Sequence, residues 1–158
     1  MTKKCFLAFI FLIAICGGFL TAQNDEVFPK LGITDSDVKS FVNNFDKIKE
    51  SLENYNPGAN FDDEKALADV EAILQKHGIS GPNRVQKVSA ITVGISYEAA
   101  VQEMNKELDA ATVKQLQAMG FDPYDALKQL KERLHPDDMK VITRNAKLYD
   151  KLYEKLED

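Results

Sequence analysis

From Val38 onward the apolar residues recur at intervals of three and four almost everywhere, the period of a helix face. Val38, Phe41, Val42, Phe45, Ile48 and Leu52 form one stripe, which predicts a helix ending near Asn54. Thr34-Asp35-Ser36-Asp37 ahead of it has the form of a capping box, Thr34 accepting from the backbone and Asp37 reaching back. Asn54 to Asn60, with its Pro57-Gly58 pair, reads as a turn. A second helix is expected from about Asp62, with Asp62, Asp63 and Glu64 at its positive end, burying Leu67, Val70, Ile73 and Leu74. Gly78 followed by Ile79 reads as a left-handed C-cap closed by an apolar contact.

Val85 to Met104 decides the architecture, because Val88 to Ile95 is β-branched enough to pass for a strand. Helical spacing sorts it into two apolar faces, Val85, Val88, Thr92, Ile95 and Ala99 on one and Ala90, Gly94, Tyr97, Val101, Met104 and Leu108 on the other. A lone strand has no partner elsewhere in the chain, so the segment is expected to be a buried helix, with Pro82 in its first turn after Ser80 or Gly81. Three shorter helices follow: one with Val113, Leu116 and Met119 that stops at Gly120, one opened by Asp122-Pro123-Tyr124-Asp125, and one from about Pro136 to Glu157. The expected fold is all-α, a single helical bundle of five or six helices around a buried central helix, spanning residues 34–158 after an irregular lead, 23–33.

Residues 1–22 have the three parts of a secretory signal peptide: Lys3 and Lys4, an apolar run from Cys5, and Gly17-Gly18 to Ala22 as a small-residue exit. The run from Cys5 to Leu20 is shorter than the roughly twenty residues of a membrane span, so no integral span is expected after cleavage. A lipid anchor on Cys16 is the less favoured variant, since Ile15 stands where a lipobox wants a small residue. Removing the leader takes away two lysines and no acid, which moves the formal charge from −5 to −7 and disfavours nucleic acid as a partner. Both cysteines go with the leader, and none of the asparagines starts an Asn-x-Ser/Thr sequence, which together favour a bacterial periplasm or exterior.

Candidate chemistry is sparse. His77 and His135 stand alone at expected helix C-terminal ends, with no second ligand at metal spacing, so no metal and no cofactor is expected. Gly78-Ile79-Ser80-Gly81-Pro82 departs from the nucleophile-elbow pattern at its last position and follows a helix, and Asp35, Asp37, Asp62 and Asp63 are read as caps. Tyr149, Leu152, Tyr153 and Leu156 make an aromatic–apolar ridge flanked by Lys147, Lys151 and Lys155, a candidate partner surface. Ile91, Gly94, Ile95, Tyr97 and Met104 are the candidate lining of a pocket between helices. Ala111-Thr112-Val113-Lys114-Gln115 is similar to half of the Leu-Thr-x-x-Gln signature of small periplasmic chaperones of the Spy and CpxP kind, with the leucine replaced and the second copy missing. The expected function is non-enzymatic: an exported protein that binds another envelope or secreted protein through a helical surface. The alternative is a carrier or sensor of a small apolar or amphipathic ligand.

Overall fold

The computed structural model describes residues 27–55 and 63–157. The leader, the lead before Val27, most of the expected turn around Pro57-Gly58 and Asp62 lie outside the described residues. All described regular structure is helical: α1 (Asp35–Asn43), α2 (Phe45–Glu53), α3 (Asp63–Lys76), α4 (Arg84–Glu107), α5 (Ala110–Ala118), α6 (Asp125–Glu132), α7 (Pro136–Arg144) and α8 (Asp150–Glu157), with a 3₁₀ turn Ala146–Leu148 before α8. None of the described helices is long and apolar enough to cross a membrane.

Among the described residues eight α-helices stand where five or six were expected, because two long apolar stripes are broken at an asparagine. Asn44 leaves helical geometry at φ −107° and ψ 13°, and its side-chain amide donates to the His77 carbonyl at 3.1 Å. Asn145 breaks the last stripe in the same way, its amide donating to Asp35 Oδ1 at 2.6 Å and Val141 O at 2.8 Å. Each break is held by an amide that reaches another part of the fold. The first break still keeps the stripe whole: Phe41 and Phe45 meet edge to face with centroids 5.7 Å apart, and Val38, Phe41, Val42, Phe45, Ile48 and Leu52 are all buried.

Thr34 and Asp37 form the expected capping box, but Asp37 does more than cap. It is fully buried, accepts from Ser80 N and Oγ at 2.8 Å each, and pairs with the buried Lys87 Nζ at 3.3 Å. Lys87 also donates to Ser80 O at 2.9 Å. The chain thereby ties α1, the loop before α4 and the first turn of α4 together through one carboxylate.

The segment Val88 to Ile95 is helical, within α4, and α4 packs against α3, α6 and α7. Its start is capped from a distance. Glu71 on α3 accepts from Val85 N at 2.9 Å and Arg84 N at 3.1 Å, while Asn83, at φ +57°, caps nothing with its own side chain. Gly94 is where α4 meets α7: a Cβ there would lie 2.7 Å from Ile142 Cγ2, so the missing side chain sets the helix approach. Gly78, at φ +89°, closes α3 as expected, with Ile79 N bonding back to Leu74 O at 3.0 Å and Ile79 buried. Leu74 is buried as expected, but Leu67 is 41% exposed because α3 turns its neighbour Ala66 inward instead.

The lead is irregular from Val27 to Thr34, as its composition suggests, yet it is docked. Leu31 and Ile33 are buried, their amides donating to Asp138 Oδ2 at 2.7 Å and Oδ1 at 2.8 Å, and Phe28 N donates to Arg133 O at 2.8 Å. Asp138 is itself buried, its charge met by these two amides.

Candidate functional site

Two regions offer themselves to a binding partner. The first is the arm made by the end of α4 and by α5. The nine residues of α5 bury none of their number, and the helix has no extended packing partner among the described helices. Local bonds hold it instead: Asp109 Oδ1 accepts from Thr112 N at 2.7 Å at the start, which lowers the Asp109 carboxyl pKa, and the left-handed Gly120 lets Phe121 N reach back to Leu116 O at 3.0 Å at the end. A helix this short is marginal without tertiary support. The arm displays apolar surface: Met119 is 73% and Phe121 61% exposed, Phe121 therefore not folding back over the cap as a buried contact, and Val113 and Leu116 are half-buried. Tyr124 Oη donates to Asn105 Oδ1 at 2.9 Å and links the loop after α5 back to α4.

The second region is an open groove of about 480 Å³ between α2 and α3. Lys47, Glu50, Ser51 and Asn54 share one line along α2 by their three- and four-residue spacing, facing Ile73, Lys76 and His77. Ser51 Oγ lies 3.0 Å from His77 Nε2. Burial lowers the His77 pKa, and Lys76 and Lys47 lower it further by repelling the imidazolium. Burial first and the two ammonium groups second thus oppose the protonated ring that the dipole at a helix C-terminal end would favour. His135 instead caps the start of α7, its Nδ1 accepting from Asp137 N at 3.2 Å. The Ser51–His77 pairing is not visible in the sequence, since the two are separated by 26 positions and no motif joins them.

The residues singled out from sequence fall elsewhere. Tyr149 is completely buried, its hydroxyl donating to Ile142 O at 2.6 Å, and Leu152 is buried beside it. Tyr153 is half-buried and donates to Ile95 O at 3.1 Å; burial pushes both phenol pKa values well up. Tyr153 thereby ties α8 to α4, while Tyr149 and Leu152 lie in the core and do not project from the surface as a ridge; the Leu156 side chain lies outside the described residues. Ile91 and Ile95 are buried in the same core, Tyr97 packs at its edge, Met104 is half-buried, and Gly94 is filled by Ile142. Among the described residues no group of three or more His, Cys, Asp or Glu side chains is placed to hold a metal. Asp35, read as a cap, instead pairs with Arg144 and Asn145, which lowers its pKa. No family model, no curated protein and no solved structure matches this chain.

Proposed function

We propose that the protein is an exported, non-enzymatic helical protein that binds another protein through the apolar face of its α4–α5 arm. The observation that carries this reading is the combination on α5 of no buried residue with strongly exposed Met119 and Phe121. A short helix with its apolar side in water costs stability that a partner's surface restores. In this reading α4 is the spine joining the packed body to the arm. Glu103, Glu107 and Asp109 outnumber Lys106 and Lys114 there, so the fitting partner is apolar at the centre of its surface and basic at the rim. The carrier alternative draws no support from Gly94, whose open side is occupied by the Ile142 side chain.

Export rests on the leader-like residues 1–22, and the intact mass of the secreted or periplasmic protein tests it: a start at Gln23 without acyl chains is the expected result. For binding, a photo-crosslinking residue is placed at Met119, at Phe121 and, as a control, at the exposed Lys39 on α1. One adduct of the same mass at both arm positions and none at Lys39 is expected in the producing cell. No adduct at either arm position, or the same adducts at all three, overturns the reading.

A further inference from the structure

We infer that the groove between α2 and α3 binds a small oxyanion, held by Lys47 and Lys76 with the Ser51–His77 pair between them. This site is separate from the arm and does not depend on it.

The charges come first. Among the described residues Lys47 and Lys76 line the groove with a single acid, Glu50, and both ammonium groups act on the imidazole of His77. Lys49, the neighbouring cation on α2, is directed to Glu53 at 3.9 Å. Two cations facing one acid, and a ring whose charged form both they and burial disfavour, leave excess positive potential in an open concavity, where a carboxylate, sulfate or phosphate relieves the repulsion.

The hydrogen bonds then set the pH behaviour. With His77 neutral and Nε2 accepting, Ser51 spends its proton on the ring and turns only lone pairs toward the groove, a poor surface for an anion. Protonation makes Nε2 a donor to Ser51 Oγ, which frees the hydroxyl proton for a ligand oxygen and adds a third cation. Anion binding and His77 protonation therefore favour each other, and linkage is reciprocal: a bound anion raises the His77 pKa by the amount that protonation tightens the anion. The backbone around the ring is fixed for this, because Asn44 holds the His77 carbonyl at 3.1 Å and the left-handed Gly78 follows directly. The groups that line the groove around the ring are Lys47, Glu50 and Ser51 from α2 and Lys76 at the end of α3.

The experiment is an NMR titration of the two histidine C2 protons, assigned with the His135→Gln variant, in sodium chloride, sulfate and acetate at equal ionic strength. Chloride is the necessary control, since screening alone weakens the lysine repulsion. In sulfate or acetate the His77 midpoint is expected to rise by about 0.5 or more above its value in chloride, equivalent to roughly threefold tighter binding to the protonated form. A rise in sulfate alone assigns the site to tetrahedral anions; a rise in acetate alone assigns it to carboxylates. The Lys47→Gln/Lys76→Gln variant is expected to start from a higher midpoint in chloride and to lose the anion-specific rise. His77 curves that coincide in all three salts overturn the inference, and so does a rise that survives in the double variant.

Discussion

The two ends of α4 live in different surroundings. From Val85 to Ile95 nearly every residue is buried, Lys87 and Thr92 included, and the helix start is clamped by Glu71 and by the Asp37–Lys87–Ser80 network. From Ser96 to Glu107 no residue is buried, and the chain passes on into α5, which buries nothing. The same helix is thus buried and clamped by charge at one end, and at the other is half-buried at most and tied by single side-chain bonds, Thr143 Oγ1 to Glu98 at 2.7 Å and Tyr124 Oη to Asn105 at 2.9 Å. Polar groups specify position where apolar surface has already been removed from water; where it has not, local bonds keep a helix formed but not anchored.

The sharpest way to break the contrast is at Asp37. Asp37→Ala leaves the Lys87 ammonium buried without its carboxylate and removes the acceptor of Ser80, and is expected to cost about 3–5 kcal/mol in denaturant unfolding. Adding Lys87→Met should recover a large part of that loss. The carboxyl also gives the clamp a pH signature. Burial alone would raise its pKa, but the bonds from Ser80 and Thr34 win and the folded value lies below the ordinary 3.8. Its stabilisation is therefore present above the unfolded value and lost as pH falls through the lower folded one, and Asp37→Asn should flatten the acid limb of stability against pH.

Asp138→Ala is next, orphaning the amides of Leu31 and Ile33, with an expected loss of about 2–3 kcal/mol and early hydrogen exchange in residues 28–33. At Gly94→Ala two effects oppose. Overpacking against Ile142 costs about 1–3 kcal/mol, and helix propensity returns up to about 1, so a net loss of about 1 kcal/mol is expected, relieved by Ile142→Val. The smallest effect belongs to the arm: Met119→Ser with Phe121→Ser should change stability by less than about 0.5 kcal/mol while abolishing the adduct of a crosslinking residue placed at the exposed Gln115 of the same helix. Amides of α5 should exchange faster than those of Val88 to Ile95, and equal protection would erase the contrast.

What the sequence discloses and what it hides follow from the range of each interaction. The stripe from Val38 to Leu52, the Thr34–Asp37 box and the Gly78 cap are local, and each was legible. The breaks at Asn44 and Asn145 depend on acceptors 33 and 110 positions away, and the cap on α4 comes from Glu71, so periodicity ran straight through the two breaks and placed the helix start a little early. Tyr149, Leu152 and Tyr153 show that a period locates a face without saying what the face meets. The arm was half legible: Val113, Leu116 and Met119 mark a helix, but only the fold shows that nothing lies over Met119. The groove pair was silent because Ser51 and His77 are ordinary residues until α2 and α3 bring them together.

The docking of the lead on Asp138 fixes an order of events. Leu31 and Ile33 find their carboxylate 107 and 105 positions later, so neither can settle until α7 has been synthesised. Through most of translation Leu31 and Ile33 have no carboxylate to dock on, and the latch closes only when α7 emerges.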